Sequence, residues 1–112
     1  MIVLAALVVA PSTSAHRRPT AREAAAIGHA AHHSTLTSAV PCFHVRRVLV
    51  STAGPWAKAT LAPCNPQQDQ TAIGVFERRR GKWVLRDVLC CGTGCSVRPP
   101  SAVRHDLGLR CR

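Results

Sequence analysis

Tyrosine is absent, and the only large aromatics are Phe43, Phe76, Trp56 and Trp83. Protein interfaces and single-stranded nucleic-acid sites rely on aromatic anchors and stacking platforms, so their scarcity argues against both and against sequence-specific nucleic-acid reading. Carboxylates are equally scarce: Glu23, Asp69, Glu77, Asp87 and Asp106 stand against 15 Lys and Arg. A glycosidase needs two carboxylates across a cleft. Here Glu23 is accounted for by helix capping, and Glu77 and Asp87 are expected on opposite faces of a hairpin. No G-x-S-x-G elbow, P-loop or glycine-rich dinucleotide fingerprint occurs. The expectation is a protein that is not an enzyme and needs no cofactor. Cys-x-x-Cys is missing too, which removes the usual redox motif and the paired knuckles of structural zinc. The apolar run 2–10, IVLAALVVA, has nine residues, about half of the roughly 20 that a membrane-spanning helix requires. No transmembrane span is expected.

What remains is a chain of ordinary globular composition, 46% hydrophobic and 18% charged over 112 residues, long enough for one domain. Its formal charge is +10, with 13 of the 15 cations being Arg, and such an excess favours anionic partners. The apolar run leads into Thr13-Ser14-Ala15, a small-x-small pattern that fits a cleavage site behind a secretory signal, although no Lys or Arg precedes the run. The reading is a signal peptide at 1–15 and a single secreted domain at 16–112. Six cysteines, at 42, 64, 90, 91, 95 and 111, then read as a disulfide set in an oxidising compartment.

Residues 16–19, HRRP, read as a flexible lead. Thr20-Ala-Arg-Glu23 matches the S/T-x-x-E capping box and starts a helix whose Ala24, Ile27, Gly28 and Ala31 share one face. Ser and Thr between 34 and 41 end it. Two hairpins follow, 43–50 with 56–62 and 71–79 with 82–90, the second turning at Arg80-Gly81. In the first, paired positions sum to 106, which sets Val45 opposite Leu61, Leu49 opposite Ala57, and Cys42 opposite Cys64. Either of those cysteines could instead pair with Cys90 or Cys91 at the same sheet end. In the second, paired positions sum to about 161 and join Phe76 with Leu85 and Ile73 with Val88. That register puts Phe76, Trp83, Leu85 and Leu89 on one face and Ile73, Val75, Val84 and Val88 on the other. Pro99-Pro100 and Gly108 bracket a two-turn helix, with Leu109 closing back on Val103. The fold class expected is α+β: an N-terminal helix packed on a small antiparallel meander of about four strands, a short C-terminal helix, and disulfides.

The C-terminal half, Gly81-Lys82-Trp83-Val84, then Cys95, Pro100, Val103 and Leu107-Gly108-Leu109 running into Cys111, resembles small secreted actinobacterial proteins of no established function. The resemblance covers residues 71–111 at most. It implies an export signal, an Ala-rich helix, a few strands and a Cys95–Cys111 bridge, and it carries no catalytic residues. The additional Cys42, Cys64, Cys90 and Cys91 and the Arg excess depart from that pattern.

Three sites merit attention. Arg78, Arg79, Arg80 and Lys82 place four cations in five positions at a hairpin tip, with Lys58 expected at the same end; such a cluster can hold phosphates or sulfates. His29, His32 and His33, at i, i+3 and i+4 on the helix, form an alternative set able to hold Zn²⁺ or Cu²⁺. Cys91-Gly-Thr-Gly-Cys95 would make a small ring of the kind a secreted protease inhibitor presents. The first reading leads: a secreted, non-catalytic domain that meets an anionic polymer or envelope surface through its basic tip.

Overall fold

The computed structural model describes residues 16–90 and 95–111. The apolar run 2–10, the cleavage point at Ala15, Cys91 and Arg112 lie outside the described residues. Five strands form one antiparallel sheet in chain order: β1 His16–Arg17, β2 Phe43–Ser51, β3 Trp56–Pro63, β4 Ala72–Arg79 and β5 Lys82–Leu89. Helix α1, Ala21–His32, follows β1, and helix α2, Ser101–Leu107, follows β5. This is the expected α+β meander with one strand more than foreseen. The extra strand comes from the segment read as a flexible lead: His16 pairs with Ser51 and Arg17 with Val50.

Arg17 also explains why the lead is ordered. Both its terminal nitrogens lie 2.7 Å from the Glu23 carboxylate, which at the same time closes the expected capping box. Glu23 N–H donates to Thr20 Oγ1 at 3.1 Å, and Thr20 N–H donates to Glu23 Oε1 at 3.0 Å. The paired guanidinium first, and the Thr20 N–H second, hold the Glu23 carboxyl down at about 2. One carboxylate thus starts α1 and fastens β1 beside it.

Both sheet faces are covered. On one, Ile27 and Ala31 of α1 pack with Phe43, Val50, Ala57, Ala59, Leu61, Phe76 and Leu85. On the other, Val103 and Leu107 of α2 pack on Trp56 and Val75. Gly74 is required by the first of these cores: a Cβ there would lie 2.9 Å from the Phe76 ring and 3.2 Å from Leu85 Cδ1. α2 ends as its sequence suggests, with Gly108 at φ 65 and Leu109 N–H donating to Arg104 O at 2.8 Å, and Leu109 packs on the Val103 and Leu107 core.

Two β-bulges correct the expected registers. Val45 faces Leu61 as foreseen, but Arg47, at φ 52, introduces an extra residue, so Leu49 faces Lys58 and Val50 faces Ala57. In the second hairpin Phe76 faces Leu85, yet Arg86 is the extra residue and Ile73 faces Leu89. A one-residue slip exchanges faces beyond the bulge. Val88 therefore joins the α1 core and Leu89 the α2 core, the reverse of the expected assignment.

Among the described residues two disulfides are present: Cys42–Cys64, with Cα atoms 5.4 Å apart, and Cys95–Cys111, 4.8 Å apart. The first ties the start of β2 to the end of β3; the second ties the segment after β5 to the chain beyond α2. Because Cys95 is bonded to Cys111, it does not close the small ring with Cys91 considered from the sequence.

Candidate anion-binding tip

The β4–β5 turn is the two-residue kind that suits the twist of antiparallel strands, with both central residues left-handed: Arg80 at φ 51 and Gly81 at φ 77. Glycine adopts this conformation freely, whereas a side chain such as Arg80 disfavours it by about 1–2 kcal/mol. The pair closing the turn is Arg79 opposite Lys82, two like charges where cross-strand neighbours ordinarily attract. Glu77 relieves part of that repulsion by accepting from Arg79 Nε at 2.7 Å. Its same oxygen lies 3.4 Å from Arg86 Nε. Arg78 stands across from Trp83, its guanidinium carbon 5.8 Å from the ring centroid, within the range of cation–π attraction.

The four predicted cations are thus together at the end of one hairpin but unequal. Arg79 is engaged by Glu77, while Arg78, Arg80 and Lys82 are exposed and, among the described residues, have no carboxylate within ion-pair distance. Lys58 is not part of the cluster. It pairs with Leu49 and Val75 within the sheet, and its Nζ lies 3.8 Å from where a Cβ on Gly108 would sit.

A polar cleft that sequence reasoning missed adjoins the tip. Its volume is about 340 Å³, and Arg17, Ser51, Thr52, Arg78 and Trp83 are among its walls. Arg17 is distant in sequence from the hairpins, and only the pairing of β1 with β2 brings it there. Nothing in the local pattern of HRRP signals a strand.

The carboxylate geometry also departs from expectation. Because Arg86 bulges, Asp87 faces Val75, and Glu77 follows two residues along the same strand, so both project to the α2 face. Each is committed elsewhere. Glu77 meets Arg79, and buried Asp87 accepts from Ser96 N–H at 2.6 Å and Val97 N–H at 3.2 Å. The helix histidines separate: His29 and His33 stack at 3.9 Å between centroids, whereas His32 stacks on Phe43 at 4.3 Å. Among the described residues no three His, Cys, Asp or Glu side chains form a metal-holding group, and no helix is long and apolar enough to cross a membrane.

The chain matches no protein-family model, no curated protein and no solved structure.

Proposed function

We propose that the chain is an exported, non-catalytic domain, similar in kind to the small secreted actinobacterial proteins, that binds an anionic polymer or envelope surface through the β4–β5 tip. Two disulfides in a small chain support an oxidising destination. The observation that carries the binding reading is the exposed trio Arg78, Arg80 and Lys82, held without carboxylate partners on a turn that stability alone would not favour. A left-handed Arg and an opposed Arg–Lys pair both cost folding energy, and local departures of this kind belong where a ligand offsets them. Contacts of this type go to phosphate or sulfate oxygens and carry no base information.

The test compares two triple variants on a heparin column across a salt gradient. Neutralising Arg78, Arg80 and Lys82 removes tip charge; neutralising Arg18, Arg22 and Arg110, all exposed, removes the same charge elsewhere. The tip variant should elute at distinctly lower salt than the control. Equal elution would assign retention to net charge, and passage of the parent unretained at low salt would discard the anionic partner.

A further inference from the structure

Asp106, in α2, carries a buried carboxylate that is only half used. Its side chain is 1% exposed. Oδ2 accepts from Ser51 Oγ at 2.6 Å and from Thr52 N–H at 3.1 Å, whereas Oδ1 is buried without a hydrogen-bond partner. A carboxylate oxygen removed from water and left unpaired is costly, so a cation aimed at it is worth seeking. The nearby group is the His16 ring, whose Nδ1 lies 3.8 Å from Oδ1 and 3.2 Å from the Asp106 backbone oxygen. His16 is also the residue that cleavage after Ala15 would place at the start of the mature chain.

An N-terminal histidine differs from any other histidine because its α-amine and its Nδ1 can chelate one metal ion together. We propose that removal of residues 1–15 completes a Cu²⁺ site composed of the His16 α-amine, His16 Nδ1 and Asp106 Oδ1. Amine, imidazole and carboxylate are a nitrogen-and-oxygen donor set suited to Cu²⁺, which also binds most tightly among the divalent first-row ions. The spacing is compatible: with metal–ligand bonds of about 2 Å, two donors are about 2.8 Å apart at right angles and about 4 Å apart across the metal. The observed 3.8 Å falls within that span. On binding, Nδ1 gives its lone pair to the metal, exchanging its contact with the Asp106 backbone oxygen. The buried Oδ1 gains the positive partner it lacks. This site shares nothing with the helix histidines 29, 32 and 33, and it rests on the cleavage point of the export reading.

The experiment uses protein recovered from culture fluid. Intact mass fixes the first residue, and titration with Cu²⁺ after chelator treatment is followed by electron paramagnetic resonance and calorimetry. The parent should begin at His16 and bind one Cu²⁺. His16→Ala, a change at an exposed strand end that leaves the core untouched, should weaken binding by at least the roughly 10–100-fold seen when a supporting partner of a metal ligand is lost. Asp106→Asn should weaken it and alter the resonance spectrum, while His29→Ala with His33→Ala should leave it unchanged. A first residue other than His16 would overturn the maturation on which the site depends. A chain that begins at His16 but binds Cu²⁺ as well after His16→Ala, or with the same spectrum after Asp106→Asn where that variant folds, would overturn the site itself.

Discussion

The two ends of the sheet are built on opposite principles. Where β2 begins and β3 ends, Cys42–Cys64 closes the hairpin, and Cys64 N–H donates to Cys42 O at 3.0 Å. Covalent and backbone links fix that end. At the other end no disulfide closes the β4–β5 turn among the described residues; Arg78 N–H donates to Pro55 O at 2.8 Å, and the turn carries a left-handed Arg80, an opposed Arg79–Lys82 pair and exposed positive charge. One end spends its residues on holding the chain together, and the other accepts strain and repulsion. On the proposed reading this contrast separates scaffold from ligand chemistry, so that stability and polyanion binding respond to different substitutions.

The largest expected effect on stability is at the disulfide end. Replacing Cys42 and Cys64 by Ser frees a loop of 22 residues, and in the chain-entropy model its closure is worth about 3 kcal/mol. Chemical denaturation of the variant should show that loss, while retention on heparin at a temperature where it remains folded should not change. An effect of intermediate size belongs to the sheet between the two ends. Gly74→Ala must displace the fully buried Phe76 ring or Leu85, and overpacking of this kind costs about 1–3 kcal/mol. A smaller gain is expected at the tip. Arg80→Asn accepts the left-handed conformation more readily and should raise stability by up to about 1 kcal/mol while lowering polyanion affinity, a combination a purely structural turn would not give.

Acid sharpens the comparison further through Glu23, whose pairing with Arg17 starts α1 and fastens β1. The Glu23 carboxyl is held at about 2 against an ordinary 4.5, chiefly by Arg17. Its contribution is therefore complete above about pH 4.5 and is lost as pH falls through about 2. Thermal melts of the parent and Glu23→Gln should differ most at neutral pH and converge towards pH 2.

Much of this architecture was legible from local pattern. Thr20 and Glu23 announce a helix start, Arg80-Gly81 between β-branched runs announces a turn, and Gly108 marks a helix stop. Each rests on chemistry within four residues. Hairpin register was readable only as far as the bulges, because Arg47 and Arg86 look like any other strand Arg and no Gly marks the extra residue. The faces of Val88, Leu89 and Asp87 were misjudged for that reason. The contacts of the N-terminal strand with the rest of the chain were not readable, although Cys42 opposite Cys64 followed from the hairpin register. The joining of His16 to Asp106 and of Arg17 to the tip cleft depends on β1, two residues whose strand character comes from their partner Val50-Ser51. The basic cluster itself was visible, but its division into an engaged Arg79 and exposed Arg78, Arg80 and Lys82 required the position of Glu77.

The most direct test of the account is the slope of log affinity for a defined anionic polymer against log salt, measured with thermal stability on the same samples. For duplex DNA each phosphate contact contributes about 0.9 to that slope. Neutralising Arg78, Arg80 and Lys82 should flatten it by up to about 2.7 without lowering the melting temperature, and Cys42→Ser with Cys64→Ser should lower the melting temperature while leaving the slope unchanged. A slope that responds equally to the loss of Arg18, Arg22 and Arg110, or that follows melting temperature across the variants, would contradict the separation of a binding end from a scaffold end.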